Sequence, residues 1–222
     1  ILLNLEDEYS FNTHQLKKLH VIDFSLGYTF KTSEQWRLGI QITPRIASTL
    51  TSKLTTDDMF LNGGVFAIKD RRDAKDIDKP YRLVLGLTYN STTGVPFPLP
   101  FVSYFRRVNE KWSYSIGVPK SNVKYFFNEK SILQTFAGLD GYFANIQQPI
   151  TVNEQVADNI SLSVALGGLG YEYCFTKHLI AYSYIGYTFL LSNHLRDDNR
   201  DNVYKLNDLN AFYFRSGIKF KI

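Results

Sequence analysis

Apolar and polar residues alternate along most of this chain with a period of two. Ile22, Phe24, Leu26, Tyr28 and Phe30 oppose Asp23, Ser25, Gly27 and Thr29. Trp36, Leu38, Ile40 and Ile42 oppose Arg37, Gly39, Gln41 and Thr43. The same rhythm runs through Tyr81–Tyr89, with Val84 the exception, and through Trp112–Val118. It carries to the carboxylate, where Phe212, Phe214, Ile218, Phe220 and Ile222 oppose Tyr213, Arg215, Gly217, Lys219 and Lys221. Period two sends successive side chains to opposite faces of a strand, and no stretch keeps helical period long enough to name a helix. The pattern predicts an all-β fold.

Polar reversals punctuate the strands. Asn109-Glu110-Lys111 recurs as Asn128-Glu129-Lys130, and Thr176-Lys177-His178 has the same place between two apolar runs. Such residues suit hairpin turns. Strands are predicted near 3–12, 19–30, 36–48, 63–69, 81–90, 100–108, 111–118, 121–128, 131–146, 159–175, 178–192 and 209–222. That makes an antiparallel up-and-down barrel of about twelve strands, with ten as the alternative count, in a single domain spanning 1–222. An even count puts both termini on one side. The short reversals at 31–35, 109–110, 128–130 and 176–178 then share that side, and longer connections near 49–62, 91–99, 146–158 and 193–208 lie opposite. The 70–80 connection breaks the rule, being long and on the short-turn side. Gly27, Gly39, Gly86, Gly117, Gly138, Gly186 and Gly217 all fall mid-strand on the less apolar face, as wall-bending positions do.

One apolar face per strand is common to water-soluble and membrane barrels, so the ends of the chain and its composition decide between them. Gly217, Phe220 and Ile222 place a glycine, an aromatic and a final apolar residue in the pattern of an outer-membrane insertion signal. Among 222 residues there are 17 Phe and 15 Tyr against 2 Trp, and Trp36, Tyr81, Tyr89 and Trp112 fall near strand ends, where interfacial girdles sit. No run approaches the roughly 20 apolar residues of a membrane helix. These features predict a transmembrane barrel in the bacterial outer membrane, with the lipid bilayer as its partner. The chain begins Ile1-Leu2-Leu3 and reads as a mature protein whose export signal lies outside this numbering.

Charge and chemistry narrow the function by exclusion. The net charge of +4 is modest and its basic residues are scattered, so nucleic acid is not an expected partner. Cys174 is the single cysteine, which rules out an intramolecular disulfide. His194, Asp197, Asp198 and Asp201 are interleaved with Arg196 and Arg200 and read as a solvated surface loop rather than a base or a metal site. No cofactor motif is present. Asp23, Arg37, Arg82, Asp140 and Arg215 fall on the polar face and are expected to fill the lumen as a charged network, Asp140 pairing with Arg37, Arg82 or Arg106. The segment Val95-Pro-Phe-Pro-Leu-Pro100 is expected to be a loop or an edge, because proline cannot donate to a ladder. Phe97 and Leu99 on it are the candidate contacts for a neighbouring protein.

The run from Asn109 through Val118-Pro119-Lys120 to Lys130, followed by Gly138-Leu139-Asp140-Gly141, resembles an uncharacterised family of outer-membrane barrels found in Bacteroidota. The resemblance covers roughly residue 20 to the end, and implies fold and location without an activity. The expected function is a non-enzymatic structural or accessory subunit of an outer-membrane assembly, with a small passive pore or a lipid-modifying enzyme as alternatives.

Overall fold

Each run of period-two alternation becomes a strand in the computed structural model, which describes residues 9–74, 79–206 and 210–220. In chain order the strands are β1 (His20–Asp23), β2 (Leu26–Lys31), β3 (Trp36–Ser48), β4 (Met59–Asp70), β5 (Tyr81–Asn90), β6 (Phe97–Arg107) and β7 (Trp112–Val118). They continue with β8 (Lys120–Phe126), β9 (Ser131–Val152), β10 (Gln155–Cys174), β11 (Leu179–Arg196), β12 (Asn202–Lys205) and β13 (Ala211–Phe220). Two 3-10 turns, His14–Lys17 and Thr56–Asp58, complete the inventory, and no α-helix occurs among the described residues. The fold is all-β, as the alternation predicts.

Neighbouring strands from β3 to β11 pair antiparallel in sequence order. β1 and β2 share one edge of β3, and β12 and β13 share the far edge of β11. A single parallel bridge between Ser48 and Asn145 joins β3 to β9 and closes β3–β9 into a seven-stranded barrel, with the remaining strands outside that ring. β9 is paired with β8 as far as Gly138, yet by Asn145 it has reached β3, which β4–β7 separate from β8. The upper half of β9 therefore crosses the mouth of the barrel over the ends of those strands. The β5–β6 connection meets it there. Ser91 Oγ lies 3.5 Å from the Gly141 carbonyl, and Ser163 Oγ donates to the Thr92 carbonyl at 3.2 Å.

The two ends of the molecule are built differently. At the turn end, Thr32, Val108, Phe127 and Phe175 close tight reversals by backbone hydrogen bonds across three or four residues. At the mouth end, Leu16, Leu19, Ala47, Ile146, Ile150, Ile160, Leu195 and Leu206 form an ordinary buried core, against which Tyr9, Phe11 and Tyr204 pack. In between, the usual arrangement is inverted. The interior carries Lys124, Gln134 and Glu172, with Ser103 and Ser115 hydroxyls 3.1 Å apart. The outward rows are apolar and exposed: Ile40, Leu85, Ile116, Ile185 and Phe214 all face out, and Phe212 is 92% exposed.

Several expectations are corrected. The closed ring has seven strands rather than ten or twelve. The segment 19–30 is divided into β1 and β2 where Phe24 N–H donates to the Pro44 carbonyl. Most of the segment 3–12 lies outside the described residues, and 9–12 hold no strand. The 146–158 connection is not a loop: β9 runs on to Val152 and β10 starts at Gln155, joined by Asn153 and Glu154 at φ 49° and 67°. Positive φ at both turn residues is the type I′ pattern, whose twist matches that of the strands it joins. The 97–100 segment is likewise strand, pairing with Asn90–Leu87. β7 meets β6 only from Val102 onward, so 97–101 has the edge position that proline permits. Because this stretch is hydrogen-bonded to β5, Pro98 and Pro100 must direct their missing N–H groups to the open side.

The wall is tight where glycine stands mid-strand. A Cβ added at Gly117 would collide with the Val102 carbonyl oxygen of the neighbouring strand. Gly117→Ala is expected to lower stability by about 1–3 kcal/mol through a forced shift between β6 and β7. Denaturant unfolding checks it. Gly167→Ala, whose nearest contact would be 3.5 Å away, should cost clearly less.

Candidate functional site

At the mouth, the 3-10 turn Thr56–Asp58 delivers a carboxylate to the point where β3 and β9 meet. Thr55 and Asp58 form a reciprocal capping box, with Thr55 N–H donating to Asp58 Oδ2 at 2.9 Å. Asn145 Nδ2 donates to Oδ1 at 2.8 Å, and Gln147 Nε2 to Oδ2 at 2.8 Å. Ser48 adds a further bond. Asp58 is fully buried. Burial by itself would raise its pKa, but the bonds from Asn145, Ser48, Thr55 and Gln147 outweigh it and hold the carboxyl at about 2. Gln147 extends the junction, accepting from Ser52 N–H at 2.6 Å and donating to the Lys53 carbonyl at 3.2 Å.

Beside this junction lies a cavity of about 820 Å³ lined by Asp57, Phe60, Phe143, Asp158, Asp198 and Arg200, among others. Phe60 and Phe143 meet edge to face at 5.6 Å, and the Arg200 guanidinium stands 5.7 Å from the Phe143 ring. Asp198 and Arg200 come from the stretch expected to be a plain loop. It is instead a tight turn, in which Asp197 Oδ1 accepts from Asp201 N–H at 2.8 Å and Arg196 Nη1 donates to the Arg200 carbonyl at 2.7 Å. Its carboxylates are spread around the cavity, and no group of three His, Cys, Asp or Glu is placed to hold a metal ion among the described residues. The arrangement offers a polar recess with an aromatic wall.

The expected lumen network resolves into separate groups. Asp23 belongs to the mouth, in a two-pronged ion pair with Arg45 at 2.7 and 2.8 Å. Asp140 accepts from the Tyr142 hydroxyl at 3.1 Å and from Gly141 N–H at 2.9 Å rather than pairing with Arg37 or Arg82. Arg215 bonds to Tyr213 and Tyr182. Arg82 faces Asp70 in the β4–β5 ladder near the turn end, where Arg37 lines a shallow cleft with Lys31, Glu34 and Asp70. Arg106 stands on the outer face, opposite Tyr81 and Tyr114. The strongest interior cluster centres instead on Glu172, which accepts from Lys219 at 2.8 Å, Lys124 at 3.1 Å and the Tyr184 hydroxyl at 2.7 Å. Its sequence signal was the run of polar-face charges, but Lys124 and Lys219 are 95 residues apart (124 to 219) and nothing local couples them.

Of the remaining predicted positions, Phe97 is exposed at the end of β6, and Leu99 shares the inner face with Phe101, which packs on Phe66 at 5.3 Å. Gly217 lies under the Tyr182 hydroxyl, where a Cβ would come within 2.7 Å. Phe220 pairs with Leu179 and is exposed; Ile222 lies outside the described residues.

A family model matches residues 3–221, almost the whole chain. The chain belongs to the family described as Domain of unknown function (DUF6268). Neither a curated protein nor a solved structure matches it. Membership in the family thus carries no activity to this site, and its chemistry rests on the geometry alone.

The low pKa of Asp58 has a pH signature. A carboxyl at about 2 in the folded chain and near 3.8 when unfolded contributes stability that is present above pH 4 and lost as pH falls towards 2. Allowing for solvent screening near the rim, the loss is expected to be about 1–2 kcal/mol. Denaturant unfolding from pH 6 to 2 should show this drop, and Asp58→Asn should lower stability at pH 6 and flatten that part of the profile.

Proposed function

We propose that this chain is an integral β-barrel of the bacterial outer membrane, acting without chemistry of its own as a structural or accessory subunit of a larger assembly. One observation carries the membrane part: the outward rows are apolar and exposed while the interior is charged and hydrogen-bonded. Ile116, Ile218 and Phe220 face out, whereas Glu172 is buried on the opposite face, paired with Lys124 and Lys219. Water as the sole solvent would disfavour both choices. Soluble monomers rarely expose a contiguous apolar patch beyond roughly 300–600 Å², and this one runs around the barrel. On β11 the stretch from Ala181 to Leu191, outward at every second residue, has the roughly ten residues that a tilted strand needs to cross hydrocarbon. The family assignment is compatible with this and silent on it.

The accessory role is supported by the mouth. Upper β9 lies across it, which argues against a passive channel, and what faces outward there is a folded head with a recess rather than an opening. Exposed Phe97 at the rim is an apolar anchor of the kind that partner proteins use. The prolines beside it leave the open edge of β6 without donors at alternate positions, so a neighbour would engage side chains, not extend the sheet.

Two measurements test this reading. In lipid bilayers, Ile40→Arg is expected to lower barrel stability by about 2–4 kcal/mol, and Gln41→Arg on the adjacent inward position by much less. Equal penalties, or the reverse order, would sink the membrane assignment. Purified in mild detergent, the wild-type chain should bring other outer-membrane proteins with it, Phe97→Ser should release them without changing unfolding, and planar bilayers should show no steady unitary conductance. A chain that arrives alone and conducts is a pore.

A further inference from the structure

The outward rows below the mouth contain two charged side chains among the described residues, and both are cations on neighbouring strands. Lys69 is outward on β4 and Arg106 outward on β6, flanking β5 near the turn end. Elsewhere on this face, β2, β3, β5, β7, β8 and β13 present only apolar, aromatic, hydroxyl or small residues. An unpaired cation on an otherwise apolar outer wall is costly unless an anion meets it.

The surroundings of the two cations are aromatic. Lys69 is the cross-strand partner of Trp36, with its ammonium 5.5 Å from the indole. Arg106 lies between Tyr81 on β5 and Tyr114 on β7, and Tyr104 precedes it on the same face. Those tyrosines form a continuous wall, Tyr81–Tyr104 stacked at 5.7 Å and Tyr104–Tyr114 tilted at 6.2 Å. Arg106 Nε is buried and without a hydrogen-bond partner among the described residues. Two other arginines are treated differently: Arg45 has Asp23, and Arg72 has Asp70.

The geometry points to a phospholipid-binding site at the turn-end rim, with Arg106 and Lys69 taking the headgroup phosphate and Trp36, Tyr81, Tyr104 and Tyr114 bracketing the boundary between headgroup and acyl chain. A guanidinium presents several N–H donors to a phosphate. Trp and Tyr settle at this depth because each has an apolar body and one polar tip. The charge sign selects the ligand, since among the described residues neither cation has a carboxylate beside it on this face. This inference rests on the membrane reading, and the experiment keeps the two separable.

Wild-type chain is purified in mild detergent and titrated with phosphatidylglycerol, and bound lipid is counted by native mass spectrometry. One tightly held lipid is expected on the wild type. Binding should weaken by roughly 20–30-fold in R106Q/K69Q and persist in R106K/K69R. Equal retention by the neutral and charge-conserving variants would overturn the site, as would displacement of the lipid by inorganic phosphate, which would mark a free-anion site instead. Insertion into vesicles is measured on the same proteins. A wild type that does not insert takes the membrane reading and this site down together, whereas variants that insert normally but still hold the lipid remove only the site.

Discussion

A fully buried carboxylate holds the mouth of this barrel shut. Asp58 reaches β3 through Ser48, its own turn through Thr55, and β9 through Asn145 and Gln147. Removing its bonds would leave a buried charge unsatisfied at the one place where β3 and β9 touch, so the junction cannot be loosened gradually. Everything distinctive about the upper half follows from that crossing: the burial of Phe143 against Phe60, the recess beside it, and the seating of the β5–β6 connection on β9 and β10.

Below the junction a different constraint rules. The wall must present one chemistry outside and another inside, and period two is the only backbone pattern that does so residue by residue. The interior can then afford charge because each carboxylate is met. Glu172 has three donors, and at the mouth Asp23 has a bidentate guanidinium. The polar interior consists of local groups, each closed on itself, rather than one lumen-spanning chain of ion pairs.

Much of the lower half was legible from the chain. Ile40, Leu85, Ile116 and Phe214 were assigned to the apolar face and stand exposed on it, because alternation is a local signal. The upper half was not. Gln147, Gln148 and Pro149 interrupt the rhythm and made 146–158 read as a loop, although Ile146, Ile150 and Val152 are buried there. Pro98 and Pro100 left a loop or an edge open, and the structure takes the edge, because their spacing of two lets both turn to the same unpaired side. Asp58 looked like an ordinary loop aspartate, since its partners Asn145 and Gln147 lie 87 and 89 residues away. Glu172 could be read as a polar-face acid, but its partners Lys124, Tyr184 and Lys219 were hidden for the same reason. The recess was hidden because Asp57, Asp158 and Asp198 come from three separate stretches.

The long reach of these contacts also sets an order of events. The head core joins Leu16 and Leu19 to Ile150, Leu195 and Leu206, and Gln15 Nε2 bonds to the Gln148 carbonyl across 133 residues. Leu16 and Leu206 in it are 190 residues apart (16 to 206). Closing so large a loop costs chain entropy that no neighbouring contact repays until β9–β12 are in place. The hairpins of β6–β8, joined by short reversals between Arg107 and Trp112 and between Val118 and Lys120, are free to pair earlier. Assembly on this ordering runs from wall to cap, and Leu16 and Leu19 are among the last residues to be sealed in.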